Sequence, residues 1–90
     1  MGNFFVKAPG DLLDYKFDWS AWLQHGEVII EAIITVPENI ILDRQSNDNT
    51  SVTAWIGGGV VNTSHLVKCQ ITTNQGRINS RSINVYCQNS

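Results

Sequence analysis

Few side chains in this chain could do covalent or metal chemistry, and they are scattered. His25 and His65 are the only histidines and stand forty positions apart. Cys69 and Cys87 are the only cysteines, eighteen positions apart. Zinc ligation by His and Cys needs close pairs such as C-x2-C or H-x3-H, and neither spacing occurs. A His-activated nucleophile needs a base and an orienting carboxylate brought to one place. Cys69 alternates with Val67 and Ile71, so it reads as a small buried hydrophobe. Asp43 to Thr50 is acidic and Asn-rich but lacks the ligand order of a calcium loop. Gly57-Gly58-Gly59 lacks the following helix that a phosphate cradle uses, and reads as a turn or bulge. Asp14 and Asp18 read as solvated surface or turn caps. Asn49-Thr50-Ser51 and Asn62-Thr63-Ser64 fit the glycosylation sequon, which matters only in a secreted chain. The expectation is no catalytic residue, no metal site and no cofactor.

What remains is a scaffold, and its size bounds it. Ninety residues, 42% of them apolar, make one small domain. A domain this size buries roughly 60–65% of the surface its unfolded chain exposes, so its stability margin is thin. Only 16% of residues are charged, against about 25% in typical domains. Asn, Ser, Thr and Gln supply the polarity instead. The net charge of −2 provides no basic stripe for nucleic acid. Residues 1–45 carry seven carboxylates against three Lys and Arg, and residues 46–90 carry one against three. This split reads as solvated faces, or as an acidic and a basic side suited to head-to-tail packing. No apolar run approaches a membrane span, and no export or acylation signal is expected at Met1 to Lys7. Two cysteines are too few for a disulfide scaffold, so free thiols are expected.

The elements that must position these residues are strands. Period-2 alternation with turn signals between runs dominates. Leu13 to Trp19, Glu27 to Val36, Ile40 to Leu42, Ser51 to Ile56, Leu66 to Thr73 and Ile78 to Cys87 read as strands. Asp43 to Thr50 reads as a polar loop, and Asn74-Gln75-Gly76 as a hairpin turn. Pro37 ends the strongest strand. The expected fold is an all-β, antiparallel, immunoglobulin-like sandwich over residues 13–90, preceded by an N-terminal arm over 1–12. The expected core comprises Tyr15, Phe17, Trp19, Ile30, Ile34, Val67, Cys69, Ile71, Ile83 and Val85.

Two features exceed what a simple sandwich needs. Glu27 to Val36 is apolar on both faces, with Ile30 and Ile34 read inward and Ile29 and Ile33 outward. Either the Trp-rich N-terminal segment covers the outer row or another chain does. Tyr15, Phe17, Trp19 and Trp22 lie within eight residues. They read as a core plug, with one or two left as exposed anchors for a partner. Ile29, Ile33, Trp55 and Trp22 are the candidate interface residues.

The string Asp14-Tyr15-x-x-Asp18-Trp19-Ser20-x-Trp22-Leu23-x-x-Gly26 resembles the opening of a small family of phage virion proteins. The resemblance continues through Thr35-Val36-Pro37, Trp55-Ile56-Gly57-Gly58, Thr73-Asn74-Gln75-Gly76-Arg77 and Arg81-Ser82-Ile83, spanning about residues 7–85. Glu27 stands where that pattern prefers Asp, and Gly58-Gly59-Val60 replaces its Gly-Gly-Thr-Ala turn. The resemblance implies a single immunoglobulin-like domain acting as a fiber-to-tail adaptor or minor structural protein of a tailed phage. It implies a non-enzymatic virion part made in the host bacterial cytoplasm, with other tail or fiber proteins as partners. Homo-oligomer formation is expected, and neither nucleic acid nor membrane is. A capsid decoration or host-surface binding module is the alternative.

Overall fold

The alternating runs pair into two sheets. The computed structural model describes residues 3–89, and among these every regular element is a strand: β1 (Asn3–Lys7), β2 (Leu13–Asp18), β3 (Ile29–Thr35), β4 (Ile40–Asn47), β5 (Ser51–Gly58), β6 (Thr63–Thr73) and β7 (Ile78–Cys87). One sheet has the order β1-β7-β6-β3 and the other β2-β5-β4. The fold is an all-β sandwich with its core between the sheets. Tyr15, Phe17, Val52, Ala54 and Ile56 from one sheet meet Val67, Cys69, Ile71, Ile83 and Val85 from the other. Trp19 is fully buried and closes one end.

The N-terminal segment expected as an arm enters the sandwich. β1 pairs with β7 in parallel, from Asn3 opposite Ile83 to Lys7 opposite Cys87. It covers an edge of β7 that would otherwise be open. Phe5 packs on Tyr15 with ring centroids 4.9 Å apart. Met1 and Gly2, at the head of that segment, lie outside the described residues, as does Ser90.

β4 runs five residues past the expected Leu42. Its register shifts between Leu42 and Arg44, a bulge that leaves Asp43 unpaired. Residues 43–47 are all exposed, so the strand has no buried row to produce alternation. The loop contracts to the turn at Asp48, whose Oδ1 accepts the amides of Thr50 at 2.9 Å and Ser51 at 2.8 Å.

A second bulge corrects the reading of β3. The register shifts between Ile29, opposite Thr73, and Glu31, opposite Thr72. One extra residue reverses the facing of everything before it. Ile29, expected outward, is buried (5% exposed), and Ile30, expected in the core, is 61% exposed. Beyond the bulge Ala32 and Ile34 pack against the core, and Ile33 faces out.

Register also separates the cysteines. Cys69 lies opposite Arg81 and Cys87 opposite Thr63. Six strand residues, about 20 Å, lie between them, beyond the reach of a disulfide. Both are buried free thiols, and burial pushes the Cys69 thiol up to about 12.

Candidate interaction surface

The outer face of the four-stranded sheet is built by residues alternating with the core rows. Asn84 on β7 stands between Phe4 on β1 and Leu66 on β6, and Tyr86 stands between Val6 and Ser64. Phe4, Val6 and Leu66 are exposed, Phe4 at 62% and Leu66 at 55%. Phe4 stacks on Tyr86 with ring centroids 6.2 Å apart. These four side chains form an apolar patch at one end of the face. Ile78, opposite Thr72, and Ile33, opposite Gln70, are exposed at the other end. Between them lie Ser80, Ser82 and Gln70. Lys68 and Glu31 are the only charged side chains on this face among the described residues. Aromatic and aliphatic anchors amid uncharged polar groups are the composition of a protein contact core.

The opposite face differs. Asp14, Lys16 and Asp18 on β2 stand beside Trp55 and Thr53 on β5. The Arg44 guanidinium lies 4.4 Å from the Trp55 ring centroid, so Trp55 is half-buried under a charge. Ile41 and Leu12 are exposed at one end. The unequal charge of the two halves of the chain does not divide the molecule into an acidic and a basic side, because in each sheet strands of the second half sit at the centre and strands of the first half flank them.

The aromatic string builds a corner, not a face. Tyr15, Phe17 and Trp19 are buried. Trp19 Nε1–H donates to Asn79 Oδ1 at 2.9 Å. Arg81 lies over the Trp19 ring at 4.9 Å and donates to the Asp18 carbonyl. The segment after Trp19 makes one tight turn, with the Trp22 and Leu23 amides both on the Trp19 carbonyl. Trp22 is half-buried, its ring covered by Arg77 at 3.8 Å. Arg77 also donates to the Trp22 carbonyl at 3.3 Å and to both oxygens of Glu27, at 2.5 and 2.8 Å. Glu27 is buried and further accepts the Thr73 hydroxyl at 2.6 Å and the Gln24 amide at 2.9 Å. The Arg77 hydrogen bonds hold its carboxyl down at about 2, against the opposing effect of burial. The network ties the turn to the β6–β7 hairpin.

Nothing local in the sequence marks the contacts at the other end. Lys7 is buried and forms no ion pair among the described residues. Its Nζ donates to the carbonyls of Gly58 at 2.6 Å and Ala8 at 2.7 Å. Nearby, buried His65 bonds the Val85 carbonyl through Nδ1 at 3.0 Å and accepts the Val60 amide at Nε2 at 3.2 Å. A Cβ on Gly59, whose φ is +108°, would run into Cys87 Sγ. These contacts fix the Gly-rich turn against β1 and β7.

Of the candidate interface residues, Ile33 lies on the outer face, Trp55 and Trp22 sit half-buried beneath arginines, and Ile29 is in the core. Of the expected core, all but Ile30 are buried or packed against buried residues. Alternation on β6 hinted at outward-facing Leu66, but nothing local joined it to Phe4 and Val6. The family model described as podophage GP4 fiber-tail adaptor protein gp77 matches residues 7–86. A search of curated proteins finds no match.

Proposed function

Because the chain belongs to the podophage fiber-tail adaptor family, we propose that it is a non-catalytic virion part that joins fibers to the tail through protein contacts. The family match, running from Lys7 to Tyr86, carries this reading. The outer face of the four-stranded sheet supports it. Phe4, Val6, Leu66 and Tyr86 offer an apolar anchor region, and the uncharged polar side chains beside it suit a wet rim. In this reading the patch is the docking surface for a tail or fiber component, and Ile33 and Ile78 extend it. The chain is synthesised in the host cytoplasm, takes its place in the virion and self-associates there. The partition of β2-β5-β4 against β3-β6-β7 supports an immunoglobulin-like classification.

Phage made without this chain tests the proposal. Tails that assemble but carry no fibers, with fibers restored on adding the protein back, are the expected result. Fibers retained in its absence would overturn the adaptor role, and labelled protein spread over the capsid shell would favour decoration.

A further inference from the structure

The four open strand edges are unequal. β2 presents Asp14, Lys16 and Asp18, and β4 presents polar residues around a bulge. β1 is short and followed by Ala8-Pro9. Charges, bulges and short length all discourage edge pairing. Over its central stretch β3 has no bulge and a single charge, Glu31. Its bulge lies between Ile29 and Glu31, and Pro37 follows its other end, leaving Glu31 to Thr35 regular and centred on Ile33. Ile33 is 49% exposed, and Glu31 is the only charge on the strand.

The direction of the open backbone groups is set by one contact. Gln45 Nε2 donates to the Ala32 carbonyl at 3.2 Å, so that carbonyl points away from β6. Alternation turns the Ile34 amide and carbonyl to the same open side.

We infer that this edge pairs with the β3 edge of a second copy, antiparallel, about a twofold axis at Ile33. In that register Ile33 meets Ile33 of the second copy, Ala32 meets Ile34, and Glu31 meets Thr35. Each Ala32–Ile34 pair exchanges backbone hydrogen bonds, and the incoming Ile34 amide replaces Gln45 on the Ala32 carbonyl. Moving the axis to Ala32 brings the bulge into the pairing, and moving it to Ile34 brings in Pro37. The two four-stranded sheets become one continuous sheet.

Charge complementarity selects a second copy as the occupant. Glu31 and Lys68 have no ion-pair partner among the described residues. Within the chain Lys68 lies opposite Thr35, while Glu31 lies opposite Thr72. The twofold register places Thr35 of the second copy opposite Glu31, so Lys68 of the second copy falls in the same row on the same face. Two strand spacings, about 10 Å, separate the backbones, within the combined reach of the two side chains. The symmetry makes this pair twice.

This deepens the self-association named above and rests on that part of the reading alone. Sedimentation of the purified protein, with cysteine cross-linking, tests it. The wild type is expected to dimerise. Ile33→Cys is expected to form a disulfide-linked dimer under mild oxidation, because facing residues at a non-hydrogen-bonded position fall within disulfide distance. Ile41→Cys, exposed on the other sheet, is the control and is expected to stay unlinked. Glu31→Lys or Lys68→Glu alone should weaken the dimer about tenfold, since both symmetric pairs are lost together, and the double reversal should restore it. A wild-type monomer, equal cross-linking at Ile41→Cys, or no rescue by the double reversal would overturn the pairing. A monomer that still carries fibers to the tail would overturn this inference and leave the adaptor reading standing.

Discussion

Arg77 and Glu27, fifty residues apart, form a two-point ion pair at 2.5 and 2.8 Å whose carboxylate is shut off from solvent. The same guanidinium covers Trp22. Together they lock the turn after Trp19 onto the hairpin at Gly76.

Acid should release this lock. The folded Glu27 carboxyl is held at about 2, against an ordinary 4.5. A lowered carboxylate stabilises the fold fully above its unfolded value and loses that contribution as pH falls toward the folded one. The melting temperature should therefore drop between pH 4.5 and 2. Glu27→Gln should lower it at neutral pH and flatten the slope in that window. Asp18 and Asp48, held down by turn amides of Ser20 and Thr50, leave a residual slope. Thermal melts across pH check both points.

Tyr15 carries a buried hydroxyl with no hydrogen-bond partner among the described residues. Removing an unpaired buried polar group relieves its desolvation cost, so Tyr15→Phe should be neutral or stabilising by about 1 kcal/mol. Chemical denaturation measures this. A loss of stability would reveal a partner for the hydroxyl.

Trp19 is fully buried and anchored to Asn79. Trp19→Ala should cost about 3–5 kcal/mol, much of the stability of so small a domain. Trp19→Phe should cost less, because it keeps most of the volume and loses mainly the bond to Asn79. Denaturation midpoints of the two variants should fall in that order. A Trp19→Ala melt close to wild type would contradict the packing account.

Leu66 is half-exposed in the apolar patch and contributes little to the core. Leu66→Lys should change stability by less than about 1 kcal/mol. It should nevertheless weaken binding to fiberless tails by at least about tenfold, since a charge would be buried without a partner. Co-sedimentation with such tails separates the two effects.

What was legible in the sequence followed from alternation. Val67, Cys69 and Ile71 announced the inner row of β6, and Ile83 and Val85 that of β7. Ile30 was misread because a bulge adds one residue without leaving a local mark. The polar stretch Asp43 to Asn47 hid a strand because an exposed edge has no row to bury. Nothing in the local sequence marks Lys7 as buried, and only the approach of the Gly58 carbonyl, fifty-one residues away, makes it a buried clamp. The patch was hidden for the same reason. Phe4 and Leu66 come to flank Asn84 only because β1 and β6 pair with the two edges of β7.

The most direct test of the account is the orientation of this chain in the assembled tail, read by cryo-electron microscopy of the virion. The account predicts the chain between tail and fibers, with Phe4, Val6, Leu66 and Tyr86 covered by another tail or fiber component. The same patch facing open solvent, or a chain located away from the fibers, would contradict it.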